Sequence, residues 1–216
     1  MKIEALIFDL GNVVIPFDWE TAESRLRARS GGGKSSPRED MRGVISRFEV
    51  GEISQEVFVS MAAAAIGFQG DEQEFIAIFN SIFSPNPPME RSIQQLAARF
   101  PIYLLSNTSE LHLSYLSQRF AVLENFVDGV YSFHAKCAKP DRKIFEIAVK
   151  QFGVRPESTV YIDDLAANVR SAQDLGFHTI QYEWREHVEF ERRLAELGIF
   201  EGNSGFSGFS RAWAES

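Results

Sequence analysis

Four short segments carry side chains that could do chemistry together: Asp9, the run Ser106-Asn107-Thr108, Lys139, and the pair Asp163-Asp164. Three of them directly follow apolar runs (Ile3–Phe8, Ile102–Leu105 and Val160–Ile162), and Lys139 precedes a helix expected to start near Asp141. Three carboxylates gathered in one crevice repel one another and are driven to protonate unless a cation joins them. Oxygen-only ligands favour a hard ion, and Mg²⁺ with retained waters suits such a site. A hydroxyl and backbone amides at a strand–helix junction cradle anionic oxygens. A lysine supplies a point charge for a phosphoryl group and screens an attacking carboxylate. The inventory is that of in-line displacement at phosphorus by a carboxylate nucleophile.

The elements that must position these groups are legible in outline. Ile3–Phe8 is almost wholly apolar, as a strand covered on both faces should be, and Gly11 and Asn12 then break it. Asp9 therefore belongs at a carboxyl strand end, where open α/β sheets bind ligands. Further apolar runs at Ile102–Leu105, Val130–Ser132, Val160–Ile162 and His178–Tyr182 alternate with helical segments, which predicts a Rossmann-like, three-layer α/β fold with a parallel sheet. Residues 19–84 interrupt that rhythm with helical periodicity alone, including helices at 39–49, 53–66 and 71–83. The expected organisation is a core of residues 1–17 and 88–200, a small helical cap at 18–87, and a mobile Gly/Ser-rich tail at 201–216.

Composition narrows the setting. A net charge of −8 argues against nucleic acid as a partner. No apolar run approaches the about 20 residues of a membrane span, and the N-terminal apolar stretch is too short for a signal-peptide core. The single Cys137 excludes an internal disulfide and suits a reducing compartment, so a cytoplasmic monomer or homodimer is expected. GGGKSS lacks the strand and the first glycine of a phosphate-binding P-loop and reads as a flexible connection. Cys137, His134, His178 and His187 show no catalytic or ligand spacing.

With these motifs in place, the chain resembles the haloacid dehalogenase superfamily, in the branch whose helical cap follows the first strand. Some sugar-phosphate phosphatases of that superfamily share its DLGNV signature, here residues 9–13. The resemblance implies a sheet order 5-4-1-2-3 and an Asp9 that becomes an aspartyl-phosphate. It implies catalytic assistance from Lys139 and phosphate or substrate contacts at Gly11, Asn12, Ser106, Asn107, Thr108 and Lys139. Mg²⁺ would be held by Asp9, the Gly11 carbonyl and Asp164, with Asp163 bound directly or through water. Phe17, Asp18 and Trp19, on the linker into the cap, are placed to line the substrate pocket, and Asn168 to support the acidic pair.

One position departs from the family pattern. Most phosphatases of the superfamily carry a second aspartate two residues after the nucleophile, which protonates the leaving group. This chain has Gly11 there. Loss of a general acid costs about 10²–10⁴-fold when the leaving group is poor, and His112 is one other residue that could supply a proton. The expected function is a Mg²⁺-dependent phosphatase for a small phosphorylated metabolite such as a sugar phosphate. The alternatives are a catalytically weakened phosphate-binding or regulatory protein, or a haloacid dehalogenase, which needs no metal and so leaves the acidic pair unexplained. Arg25, Arg27, Arg29, Lys34, Arg38, Arg42 and Arg47 could steer an anion toward the crevice or simply form solvated helix faces.

Overall fold

A computed structural model describes residues 2–31 and 36–200 of the 216. Most of the GGGKSS loop, including Lys34, and the tail at 201–216 lie outside the described residues. Strand β1 (Ala5–Phe8) is buried along its whole length and runs at the centre of a five-stranded sheet. Strands β2 (Ile102–Ser106), β3 (Asp128–Tyr131), β4 (Thr159–Asp163) and β5 (His178–Gln181) complete it in the order β3-β2-β1-β4-β5, all parallel. That is the implied order read from the other edge.

Between β1 and β2 lie α1 (Trp19–Ala28), α2 (Pro37–Glu49), α3 (Gln55–Ile66), α4 (Glu72–Phe79) and the first helix of the core layer, α5 (Pro87–Ala97). After β2 come α6 (Glu110–Arg119), the single turn α7 (Ser132–Ala135), α8 (Arg142–Phe152), α9 (Ala166–Asp174) and α10 (His187–Glu196). Short polar side chains set several starts: Asp18, Ser36, Ser54, Asp71, Asn86, Ser109 and Asp141 each accept a hydrogen bond from an N–H in the first turn of the helix that follows.

The pleat divides the core in two. Leu6, Phe8, Leu104 and Ile162 pack on one face with Ile93 of α5, Leu116 of α6 and Phe190 of α10. Ile7, Leu105 and Tyr161 pack on the other with Phe145 of α8 and Ala172 of α9. The helices after β1 bury a third apolar cluster, rich in phenylalanine, in which Phe48 and Phe58 stack with centroids 4.3 Å apart. The chain leaves the core and returns side by side: the Asp18 N–H donates to the Ile82 carbonyl (2.8 Å) and that of Ser84 to the Pro16 carbonyl (3.0 Å).

Several expected spans shift: α2 starts at Pro37 rather than residue 39, α3 at Gln55 rather than residue 53, and β5 ends at Gln181 rather than Tyr182. The first strand starts at Ala5 rather than Ile3. The third occupies Asp128–Tyr131, because Asp128 already pairs with Tyr103, and Ser132 instead opens α7. The helix expected at 71–83 ends at Phe79 and tightens into a 3₁₀ turn at Asn80–Ile82.

Candidate functional site

The carboxyl ends of β1, β2 and β4 and the loop before α8 bring the four segments together. Lys139, 5% exposed, donates to Asp9 Oδ1 (2.7 Å), Asp163 Oδ2 (2.7 Å) and the Leu105 carbonyl (2.8 Å). Its three protons are thus all engaged by protein oxygens. Burial pulls the ammonium's pKa down, but Asp9 and Asp163 outweigh it and hold Lys139 above its ordinary range.

Asp163 is fully enclosed. Its oxygens accept from Lys139, from the Tyr161 hydroxyl, from the Leu165 N–H (2.9 Å) and from Asn168 Nδ2 (3.0 and 3.1 Å). Asn168 therefore supports the acidic pair rather than facing a ligand. Tyr161 escaped sequence reasoning, although a tyrosine two residues before Asp163 in a buried strand must share its face of the sheet. Burial first, and then the nearby carboxylates, push the Tyr161 hydroxyl well up, so it stays a donor.

Asp9 and Asp164 are less fully engaged. Asp9 Oδ1 takes Lys139 and the Leu10 N–H (2.7 Å), while Oδ2 accepts nothing from the described residues. Burial pushes the Asp9 carboxyl up to about 7; Lys139 pulls it back, and Asp163 and Asp164 push it further. Asp164, half-buried, accepts one bond from Asn12 Nδ2 (3.3 Å), and burial and Asp163 hold it above the usual carboxylate range. Oxygens of Asp9, Asp163 and Asp164 lie within 4.8 Å of one another. One ammonium among three carboxylates leaves an excess of negative charge, and the donors are all oxygens, so the residues present fit Mg²⁺.

The SNT segment divides its tasks. Ser106 ends β2, buried, and does not cap α6, a role taken by Ser109. The Asn107 side chain is committed to Lys139, accepting from its N–H (2.8 Å) and donating to its carbonyl (2.9 Å), so it positions the lysine. The Thr108 N–H donates to Ser132 Oγ (3.0 Å). Asn12, with φ of 56°, folds the turn after β1 and accepts from the Phe17 N–H (3.2 Å).

Above this floor, Phe17 and Trp19 line three adjoining cavities. The largest, about 700 Å³, also holds Asp9, Asp18, Asn107, Lys139 and Asp164. A second, about 590 Å³, opens between Glu23 and the Arg38, Arg42, Ile45 and Glu49 face of α2. A small one reaches Gly11, Ser106, Thr108, His112 and Glu49. Of the basic residues in the insert, Arg38 and Arg42 line the cavities, with Arg38 5.5 Å over the Trp19 ring, whereas Arg29 and Arg47 pair with Glu74 and Glu52 at the surface. His112 stacks on Phe79 (4.4 Å), and burial lowers its pKa to about 4, so it is neutral at pH 7 and poorly suited to give a proton. Position 11 has a steric reason to be glycine: a Cβ there would sit 2.8 Å from Phe17 Cε1.

A profile of haloacid dehalogenase-like hydrolases matches residues 3–176. The chain belongs to this family. It is 26% identical over 203 residues to D-ribitol-5-phosphate phosphatase of Bacteroides thetaiotaomicron, covering 86% of this chain and 97% of that one. It is 25% identical to phosphatase MT3486 of Mycobacterium tuberculosis over 216 residues, 95% of this chain and all of the other. A HAD family enzyme of B. thetaiotaomicron, solved as a magnesium complex, superposes with a TM-score of 0.81 at 26% identity, covering 89% of this chain and 100% of that one. The same enzyme with magnesium and inorganic phosphate gives 0.78 at 25% identity, covering 85% and 96%. The L-2-haloacid dehalogenase of Xanthobacter autotrophicus shares the fold at a TM-score of 0.62 and 17% identity, covering 92% and 84%. Among the described residues, no helix is long and apolar enough to cross a membrane.

Proposed function

We propose that this hydrolase is a Mg²⁺-dependent phosphatase for a small phosphorylated sugar or alditol, with residues 18–87 acting as its cap. The observation that carries the reading is the unbalanced acidic cluster at the floor of the largest cavity, where Asp9 keeps one oxygen open. Asp9 and Asp164, with the Gly11 carbonyl, would hold the metal, while Asp163 is committed to Lys139, Tyr161 and Asn168. When bound, Mg²⁺ supplies charge neutralisation for the phosphoryl oxygens and for the carboxylates themselves.

The chain's own groups do the rest. Lys139 fixes Asp9 for attack and screens its charge. Ser106 and the N–H of Asn107 face the incoming phosphoryl group at the end of β2. Asp9 bonds to phosphorus as the ester oxygen departs, and water then cleaves the aspartyl-phosphate. Phe17 and Trp19 contact the organic part. The named activity of the B. thetaiotaomicron relative, an alditol 5-phosphate phosphatase, supports a primary alkyl ester as the substrate class.

The test is phosphate release from a panel of sugar and alditol phosphates, nucleotides and 4-nitrophenyl phosphate, with Mg²⁺ or chelator. Metal-dependent release is expected, and Asp9→Asn should lower it by about 10⁴-fold or more. Activity retained in Asp9→Asn would overturn the covalent reading.

A further inference from the structure

An alkyl alcohol is a poor leaving group, and neither Gly11 nor neutral His112 offers it a proton. We propose, resting on the phosphatase reading, that Glu49 at the end of α2 protonates the departing alkoxide and then takes a proton from the hydrolytic water.

The geometry is that of a substituted position. Phe17 fills the space where a side chain at position 11 would begin. Glu49 lines the same small cavity as Gly11, Phe17, Ser106 and Thr108, and reaches it from a helix of the insert rather than from the β1 strand end. Its backbone is pinned there: Ser132 Oγ donates to the Glu49 carbonyl while accepting from the Thr108 N–H, so one hydroxyl ties the end of α2 to the segment after β2. Lys136 Nζ adds a bond to the Gly51 carbonyl (2.6 Å) two residues on.

The Glu49 carboxyl itself accepts no hydrogen bond from the described residues. Burial pushes it up to about 7, against the pull of Arg38. The other titratable groups lining its two cavities are Glu39 and Arg42 on its own helix, Glu23 of α1 and His112 of α6. A carboxylic acid poised near neutrality can both give and recover a proton.

The steps balance. As Asp9 bonds to phosphorus and the ester P–O bond breaks, the Glu49 proton passes to the leaving oxygen and yields the alcohol. Water then attacks the aspartyl-phosphate and gives its proton to the Glu49 carboxylate. Inorganic phosphate and free Asp9 result.

The deciding experiment compares Glu49→Gln with wild type, with Mg²⁺, on ribitol 5-phosphate and on 4-nitrophenyl phosphate across pH. The variant should lose about 10²-fold or more in kcat on the alkyl ester and far less on the aryl ester, whose leaving group needs no proton. The fall of wild-type alkyl activity above pH about 7 should vanish in Glu49→Gln and persist in Glu49→Asp. Equal losses on both esters, a change confined to KM, or an unaltered pH profile would overturn this role for Glu49 alone. A wild-type chain releasing phosphate from no ester would overturn the phosphatase reading with it.

Discussion

On the floor of the cavity Lys139 and Asp163 spend their polar atoms on protein partners, whereas in the helical wall the Glu49 carboxyl accepts no bond from the described residues and Arg38 lies across an indole. The floor is made from strand ends of the core, where parallel neighbours hold backbone and side chain alike. The wall is made from a helix and a linker packed on phenylalanines. Saturated groups are held for one geometry, which suits a nucleophile and its counter-charge. Unsatisfied groups beside open volume are available to a ligand, which suits recognition and proton transfer.

The sharpest way to break this contrast is to remove the centre of the floor. Lys139→Ala leaves Asp9 and Asp163 without their shared cation, and should cost about 3–5 kcal/mol in denaturant unfolding. A loss below about 1 kcal/mol would show that the floor is no more tightly coupled than the wall.

Asp9→Asn acts in the opposite direction on stability. The fold raises the pKa of Asp9, so the folded protein holds this proton better than the unfolded chain does. The metal-free protein therefore has this contribution in full at low pH, and loses it as pH rises from the ordinary carboxylate range to about 7. At pH 8 with chelator, Asp9→Asn should melt higher than wild type, by about 2–4 °C for each kcal/mol of repulsion relieved. Added Mg²⁺ should stabilise wild type more than the variant. A lower melting temperature for the variant would mean that Lys139 already balances the cluster.

Gly11→Ala probes where floor and wall meet. Its new Cβ must displace the Phe17 ring, with an expected cost of about 1–3 kcal/mol and a raised KM. Phe17→Leu in the same chain should recover part of both, whereas additive losses would separate the two positions. Gly11→Asp meets the same collision: the acid it introduces must first push aside a ring of the cavity wall.

The main contours of the fold were open to sequence reasoning because parallel strands buried on both faces leave continuous apolar runs, and their ends leave Asp9, Ser106 and Asp163 as polar punctuation. Lys139 was legible from its place before Pro140 and the following helix. What escaped was pairing across the chain. That Asn107 serves Lys139 rather than presenting its side chain to a ligand depends on a contact spanning 32 residues. Glu49 had only a faint signal: Arg38, Arg42, Ile45 and Glu49 recur at helical spacing on one face of α2, but nothing in that pattern says what the face opposes.

Residue order and hydrophobic period thus determined the strands, the helical insert and the carboxylates at the strand ends, because those depend on local geometry and burial, whereas the order of the strands in the sheet does not follow from them. Tertiary structure decided which of those polar groups are consumed by one another and which remain open to a ligand. Hydrogen-bonding capacity is finite, and how each donor and acceptor is used depends on neighbours far away in the chain.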